Sequence, residues 1–151
     1  MIITLLIGIA LEQIPLFVNK VRLASLLTKP ALEGRYKVIE HHAVTGGWID
    51  ETDPGAKFDS LFSNKRKDNL SARIGRIQQG AIHIEVVNRK RNAPSSASSE
   101  WWSLRPVVAG DDAPTISWVC GSRQPPTGVF ALGEDLTTIP PDENFRLCQS
   151  R

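Results

Sequence analysis

Cysteine is scarce in this chain of 151 residues: only Cys120 and Cys148 are present. That excludes both a multi-cysteine metal site and a disulfide-dense miniature scaffold. Histidine is also rare. His41 and His42 are neighbours, so on a helix they diverge by about 100° and cannot share one metal. His83 stands alone, and no ligand spacing joins it to them. Charge of one sign is not in excess: 18 basic against 16 acidic residues leave a net charge of +2, too little to demand a nucleic-acid partner. No glycine motif cradles a phosphate. Asp50, Glu51, Asp53, Asp111 and Asp112 do not form a calcium loop. The chain offers no catalytic constellation, no metal site and no cofactor motif. The expectation is a protein that is not an enzyme.

Long apolar runs are missing too. Met1 to Leu11 is almost wholly apolar, but Glu12, Gln13 and Pro15 interrupt it well short of the ~20 residues a membrane-crossing helix needs. No basic residue precedes the run, so it does not read as a secretory signal. From Ile14 onward the chain is periodic. Ile14, Phe17, Val21, Ala24, Leu27 and Ala31 recur at steps of three and four, which places them on one helical face. The pattern resumes through Tyr36, Val38 and Ile39 and stops at Thr45-Gly46-Gly47, a glycine cap. These features predict one helix over about residues 2–44, kinked at Pro15 and Pro30. A domain of this size cannot bury so long a helix. Its first half must contact a membrane or copies of itself.

Residues 49–70 read as loop, with one short helical turn within Ala56–Phe62. The period then switches to two. Ser71–Ile77 and Ala81–Asn88 are predicted strands of a hairpin closed at Gln78-Gln79-Gly80. In the second, Ile82, Ile84 and Val86 share one face, His83 and Glu85 the other. A polar loop over residues 89–99 leads to strands at Trp101–Ala109 and Thr115–Cys120. Of Trp101 and Trp102, alternation sends one inward, and Trp118 is a core candidate. The expected fold is α+β: a long kinked N-terminal helix whose second half covers a four-stranded antiparallel sheet. Residues 1–24 form the apolar helix half, and residues 25–151 the globular domain.

The tail after Cys120 is rich in proline and glycine, weak in pattern, and reaches Cys148 near the C-terminus. Two readings of the cysteines stand: a bridge pinning the tail to the last strand, or two unpaired buried thiols. The bridge is the better one. A loop of that size gains on the order of 3–4 kcal/mol in the chain-entropy model.

Several stretches together resemble type IV pilins. Ile14 to Arg22 is similar to the place where the pilin helix meets a proline and turns amphipathic. Tyr36 to Trp48 resembles the helix end, where a glycine turn precedes a tryptophan. Thr115-Ile116-Ser117-Trp118-Val119-Cys120 resembles the last strand, with tryptophan two before the first cysteine. Ile139-Pro140-Pro141 through Cys148 resembles the approach to the second. The match runs in order along nearly the whole chain, and Trp-x-Cys with a C-terminal cysteine is its most specific part. If Pro15 is the counterpart of the pilin helix proline, the family's basic leader, cleavage glycine and early glutamate fall upstream of Met1.

The resemblance implies a pilin-like roll with a disulfide-closed C-terminal loop (Cys120 and Cys148). It implies a structural subunit that waits in the inner membrane and is added to a pilus at the bacterial cell surface. Apolar helices would bundle at the filament centre, through Ile2, Ile3, Leu5, Leu6, Ile9, Leu11, Ile14, Phe17 and Val21. Its partners would be other pilin subunits in a helical polymer, and a host surface for adhesion. Two alternatives use the same scaffold. A minor pilin for DNA uptake would gather Lys65, Arg66, Lys67, Arg73, Arg76, Arg89, Lys90 and Arg91 at one edge of the domain, with Trp101 or Trp102 as a stacking surface. The other is a pseudopilin of a type II secretion system.

Overall fold

The computed structural model describes the backbone of residues 2–56, 61–63, 70–88, 98–108 and 116–139, and the side chains of residues 23–56, 70–87, 99–108 and 116–139. The protein is α+β, with one N-terminal helix followed by an antiparallel sheet.

Helix α1 spans Ile2–Thr45 and runs without interruption through Pro15 and Pro30. At 44 residues it is about 66 Å long. Its end follows from the glycine predicted there. Gly46 adopts φ 72°, a left-handed conformation open to a residue without Cβ. Its N–H donates to the His42 carbonyl at 2.8 Å, and the Thr45 hydroxyl donates to the His41 carbonyl at 2.8 Å. Trp48 then folds back to stack on His42, ring centroids 4.3 Å apart. The Gly80 N–H donates to the Ile49 carbonyl at 2.8 Å, so the helix exit is tied to the first hairpin.

Among the described residues, six strands come after the helix: β1 (Leu61–Ser63), β2 (Leu70–Gln78), β3 (Ala81–Asn88), β4 (Ser98–Val108), β5 (Ser117–Cys120) and β6 (Phe130–Ala131). The order β1-β2-β3-β4-β5 is a meander, and β6 pairs with the end of β4. The predicted four-stranded sheet is therefore flanked by two short strands that weak local patterns conceal. Two further expectations change. A 3-10 turn lies at Pro54–Ala56 and β1 occupies Leu61–Ser63, while residues 57–60 of the turn expected within Ala56–Phe62 lie outside the described residues. Strand β4 begins at Ser98, not Trp101, because Ser98 and Ser99 pair with Asn88 and Val87.

The core lies between α1 and one face of the sheet. Leu27, Ala31 and Val38 from the helix meet Ala72, Ile74, Ile82, Ile84, Trp102 and Leu104. Cross-strand pairing explains this face: Ile74 faces Ile84, Ile84 faces Trp102, and Leu104 faces Cys120, and directly paired residues project to the same side. Trp102 is the inward member of its pair. Tyr36 and Ile39, which the periodicity enrolled with Val38, are instead exposed; only Val38 keeps the sheet-facing phase. Trp118 is also displaced from expectation. It is half-buried at the core margin, with the Arg35 guanidinium 5.6 Å from its ring centroid.

Candidate functional site

Three surfaces bear on function: the helix, the second face of the sheet, and the basic residues at its edge. Among the described residues, the helix meets the sheet through its C-terminal half, with buried side chains from Leu26 and Leu27 to Val38. Ile2, Ile3, Leu5, Leu6, Ile9, Leu11, Ile14, Phe17 and Val21 all belong to α1, and their side chains lie outside the described residues. Among the described residues, no helix is long and apolar enough to cross a membrane.

The second face of the sheet is polar yet largely covered. Pairing places Arg76, His83 and Ser103 in one row and Arg73, Glu85 and Trp101 in the next. Arg73 and Arg76 share this face only because the β2–β3 register shifts between Ile74 and Arg76. Strict alternation would send two residues three apart to opposite sides. The covering element is the irregular tail. Leu132 N–H donates to the Pro106 carbonyl at 2.9 Å, and Thr138 N–H to the Trp101 carbonyl at 2.9 Å. Between them the Leu136 N–H donates to Ser103 Oγ at 2.9 Å, and the Thr137 hydroxyl oxygen accepts the Ser103 N–H at 3.0 Å. Residues 132–138 thus lie across the row that holds His83 and Ser103, and Ile139 enters the core.

His83 beneath this strap is fully buried. Its Nδ1 is 2.9 Å from Ser103 Oγ, and its Nε2 has no hydrogen-bond partner among the described residues. Burial first, then the charge of Arg76, lowers its pKa from 6.5 to about 4; Asp135 opposes the shift and Arg105 adds to it. The ring is neutral near pH 7. Glu85 behaves differently. Burial alone would raise its carboxyl, but hydrogen bonds from Ser99 (2.8 Å) and Arg73 (2.6 Å), with the Arg73 charge, hold it below its ordinary value. His83 also lies on the face opposite Cys120, since Cys120 pairs with Leu104 and His83 with Ser103. A thiol–imidazole pair between them is geometrically closed.

Of the eight basic residues grouped by sequence, the structure brings together Arg73 and Arg76. Each faces a carboxylate: Arg73 Nη2 is 2.6 Å from Glu85, and Arg76 Nε is 3.3 Å from Glu51. Lys65, Arg66, Lys67, Arg89, Lys90 and Arg91 lie outside the described residues. Cys120 is buried, and among the described residues no cysteine is a free thiol; Cys148 lies outside them. Sequence reading missed the strap and the bulge. The signals for them were a lone glycine in a strand, Gly75, and a buried-facing histidine on the nominally polar side of β3.

No protein-family model, curated protein or solved structure matches this chain.

Proposed function

We propose that the chain is the structural subunit of a type IV pilus or pilin-like filament. One observation supports the reading: a single helix of 44 residues, Ile2–Thr45, in which the described side chains that pack on the sheet come from the second half, Leu26 to Val38, while the first half is made mostly of apolar residues. The first half is the most apolar stretch of the chain and needs a partner outside the domain. Helices of many copies would pack there, through the apolar residues from Ile2 to Val21, in head-to-tail contacts that do not close. The helix, kinked at its prolines, is the filament core; the sheet faces outward as a pilin-like roll. A Cys120–Cys148 bridge closes the C-terminal loop. The route is through the inner membrane and periplasm to the bacterial surface, where the filament adheres.

The DNA-uptake reading draws no support from Arg73 and Arg76, whose charges are matched by Glu85 and Glu51. The filament reading is tested on filaments sheared from the native host. Antibody raised against the sheet domain should decorate them along their length in electron micrographs, and deletion of the gene should abolish the decorated filaments. Recovery of the chain solely as a monomer, with filaments unchanged by the deletion, overturns the reading.

A further inference from the structure

Two buried side chains under the strap carry hydrogen-bond donors that the chain leaves unmatched. His83 is one. Its Nδ1 lies 2.9 Å from Ser103 Oγ, and its Nε2 has no partner among the described residues. Ser103 Oγ already accepts the Leu136 N–H at 2.9 Å, and among the described residues the serine proton has His83 Nδ1 as its acceptor. The ring proton therefore sits on Nε2, where nothing receives it. Arg105 is the other. It is only 9% exposed, its Nη2 donates to the Arg123 carbonyl at 3.0 Å, and its buried Nε has no partner among the described residues.

The two donors share one face of the sheet. His83 pairs with Ser103 across β3 and β4, and Arg105 stands two residues further along β4. It is therefore the diagonal neighbour of His83 on the same side. The charge of Arg105 is felt at the imidazole, as is that of Arg76. Yet the two arginines differ. Arg76 has Glu51 at 3.3 Å, whereas Arg105 is a buried arginine with no carboxylate partner among the described residues. Asp135 of the strap is exposed, and its Oδ1 accepts the Thr137 N–H at 3.0 Å. A buried charge without a counter-charge is costly. A water molecule would satisfy the two N–H groups and leave the charge of the guanidinium unanswered. An oxyanion answers both, since it accepts charge-assisted hydrogen bonds and carries the opposite sign.

We infer that the layer between strap and sheet at His83 and Arg105 is a binding site for one small oxyanion, a carboxylate or a phosphate, held by the Arg105 guanidinium and the His83 Nε2–H. The ligand enters at the edge of Arg105 that remains exposed, beside the exposed Arg123. Its size is limited by the strap. Gly133 packs so close to Ala81 that a Cβ on it would lie 2.5 Å from the Ala81 Cβ, and Leu136 is bonded to Ser103, so the cover is anchored at both ends. Duplex DNA has no way beneath it. The site is independent of the filament reading and stands or falls separately from it.

The test uses the full chain, prepared free of phosphate and sulfate. The imidazole nitrogen resonances are followed by NMR while inorganic phosphate, and separately acetate, is added at an ionic strength held constant with sodium chloride. Loss of one resonance in His83→Gln identifies the ring. The expected result is a saturable shift of His83 Nε2 that His41 and His42 do not share, with apparent affinity at least about tenfold weaker in Arg105→Gln. A bound anion should also raise the His83 pKa above its value of about 4. Saturation by phosphate alone marks a tetrahedral oxyanion as the ligand class, and saturation by acetate a carboxylate. If Arg105→Gln does not fold, the titration of the unaltered chain decides. No saturable shift at His83 with either anion overturns the site, and so does a shift that Arg105→Gln leaves unchanged.

Discussion

Gly34 of α1 lies so close to Ile82 of β3 that a Cβ placed on it would sit 2.9 Å from both Ile82 Cδ1 and Cγ2. At Gly34 the helix backbone thus comes close to β3 with no side chain of its own between them. Ile82 is fully buried, in a core where side chains are close-packed. Gly34→Ala gains about 1 kcal/mol of helix propensity, but overpacking of this kind costs about 1–3 kcal/mol. Urea unfolding should show net destabilisation despite the better helix former. Ile82→Val removes Cδ1, so the double variant should lose less than the sum of the two single losses. An additive pair would mean the close approach is relieved elsewhere.

Acid should loosen the tail through His83. Its neutral form is favoured in the fold, with a pKa of about 4 against 6.5 unfolded. Between these values the unfolded chain binds the extra proton, so stability is complete above about pH 6.5 and falls as pH drops toward 4. The loss is on the order of 3 kcal/mol. The groups around the ring are Ser103, Arg76, Arg105 and Asp135. Protonation sets a new charge beside two arginines under the segment from Leu132 to Thr138. Hydrogen exchange of the Leu136 and Thr138 amides should accelerate over that interval before the helix–sheet core opens. His83→Gln should flatten the stability profile between pH 6.5 and 4. Glu85 contributes its own loss lower, as pH falls below the ordinary carboxylate value of 4.5, which separates the two groups.

Legibility in the sequence followed how local each cause was. The strands around Ile82, Ile84 and Val86 were readable because alternation is written in adjacent residues. The helix end was readable because Gly46 supplies the positive φ that the cap uses. The helix's facing was not readable. Leu27 with Val38 and Leu32 with Ile39 each make an apolar row, and only contact with Ile74 and Ile82 decides which is inner. The strap was invisible for another reason. Residues 132–138 have no period, and they are held through Ser103 and Trp101 more than thirty positions away. The assembly residues before Leu23 remain a reading of pattern, joined to the structure only by the continuity of α1.

A second close contact predicts a sharper pairwise effect. A Cβ on Gly75 would lie 2.8 Å from Trp101 Cη2 and Cζ3, because the indole reaches over the bulge in β2. Gly75→Ala should displace that ring, and the expected cost is about 1–3 kcal/mol, with a change in tryptophan emission. Adding Trp101→Ala should recover part of the loss from the alanine at 75. If the two substitutions act independently in a double-mutant cycle, the indole does not rest on Gly75.

The tail also allows a redox test. Cys120 is buried on the helix-facing side of β5 beside Leu104, and the proposed bridge to Cys148 would close the segment that carries the strap. A crosslink there removes entropy from the unfolded chain, on the order of 3–4 kcal/mol for a loop of this length. Non-reducing electrophoresis should show faster migration than reduced chain, and alkylation of the unreduced, denatured protein should label neither cysteine. Cys148→Ser should lower the unfolding midpoint in urea and speed exchange at Leu136 and Thr138 more than at Ile82 or Ile84. The two strap amides report on the tail, whereas the isoleucines report on the core. Two alkylatable thiols in chain isolated without reductant would show that no bridge holds the tail, leaving its hydrogen bonds to Trp101, Ser103 and Pro106 and the burial of Ile139.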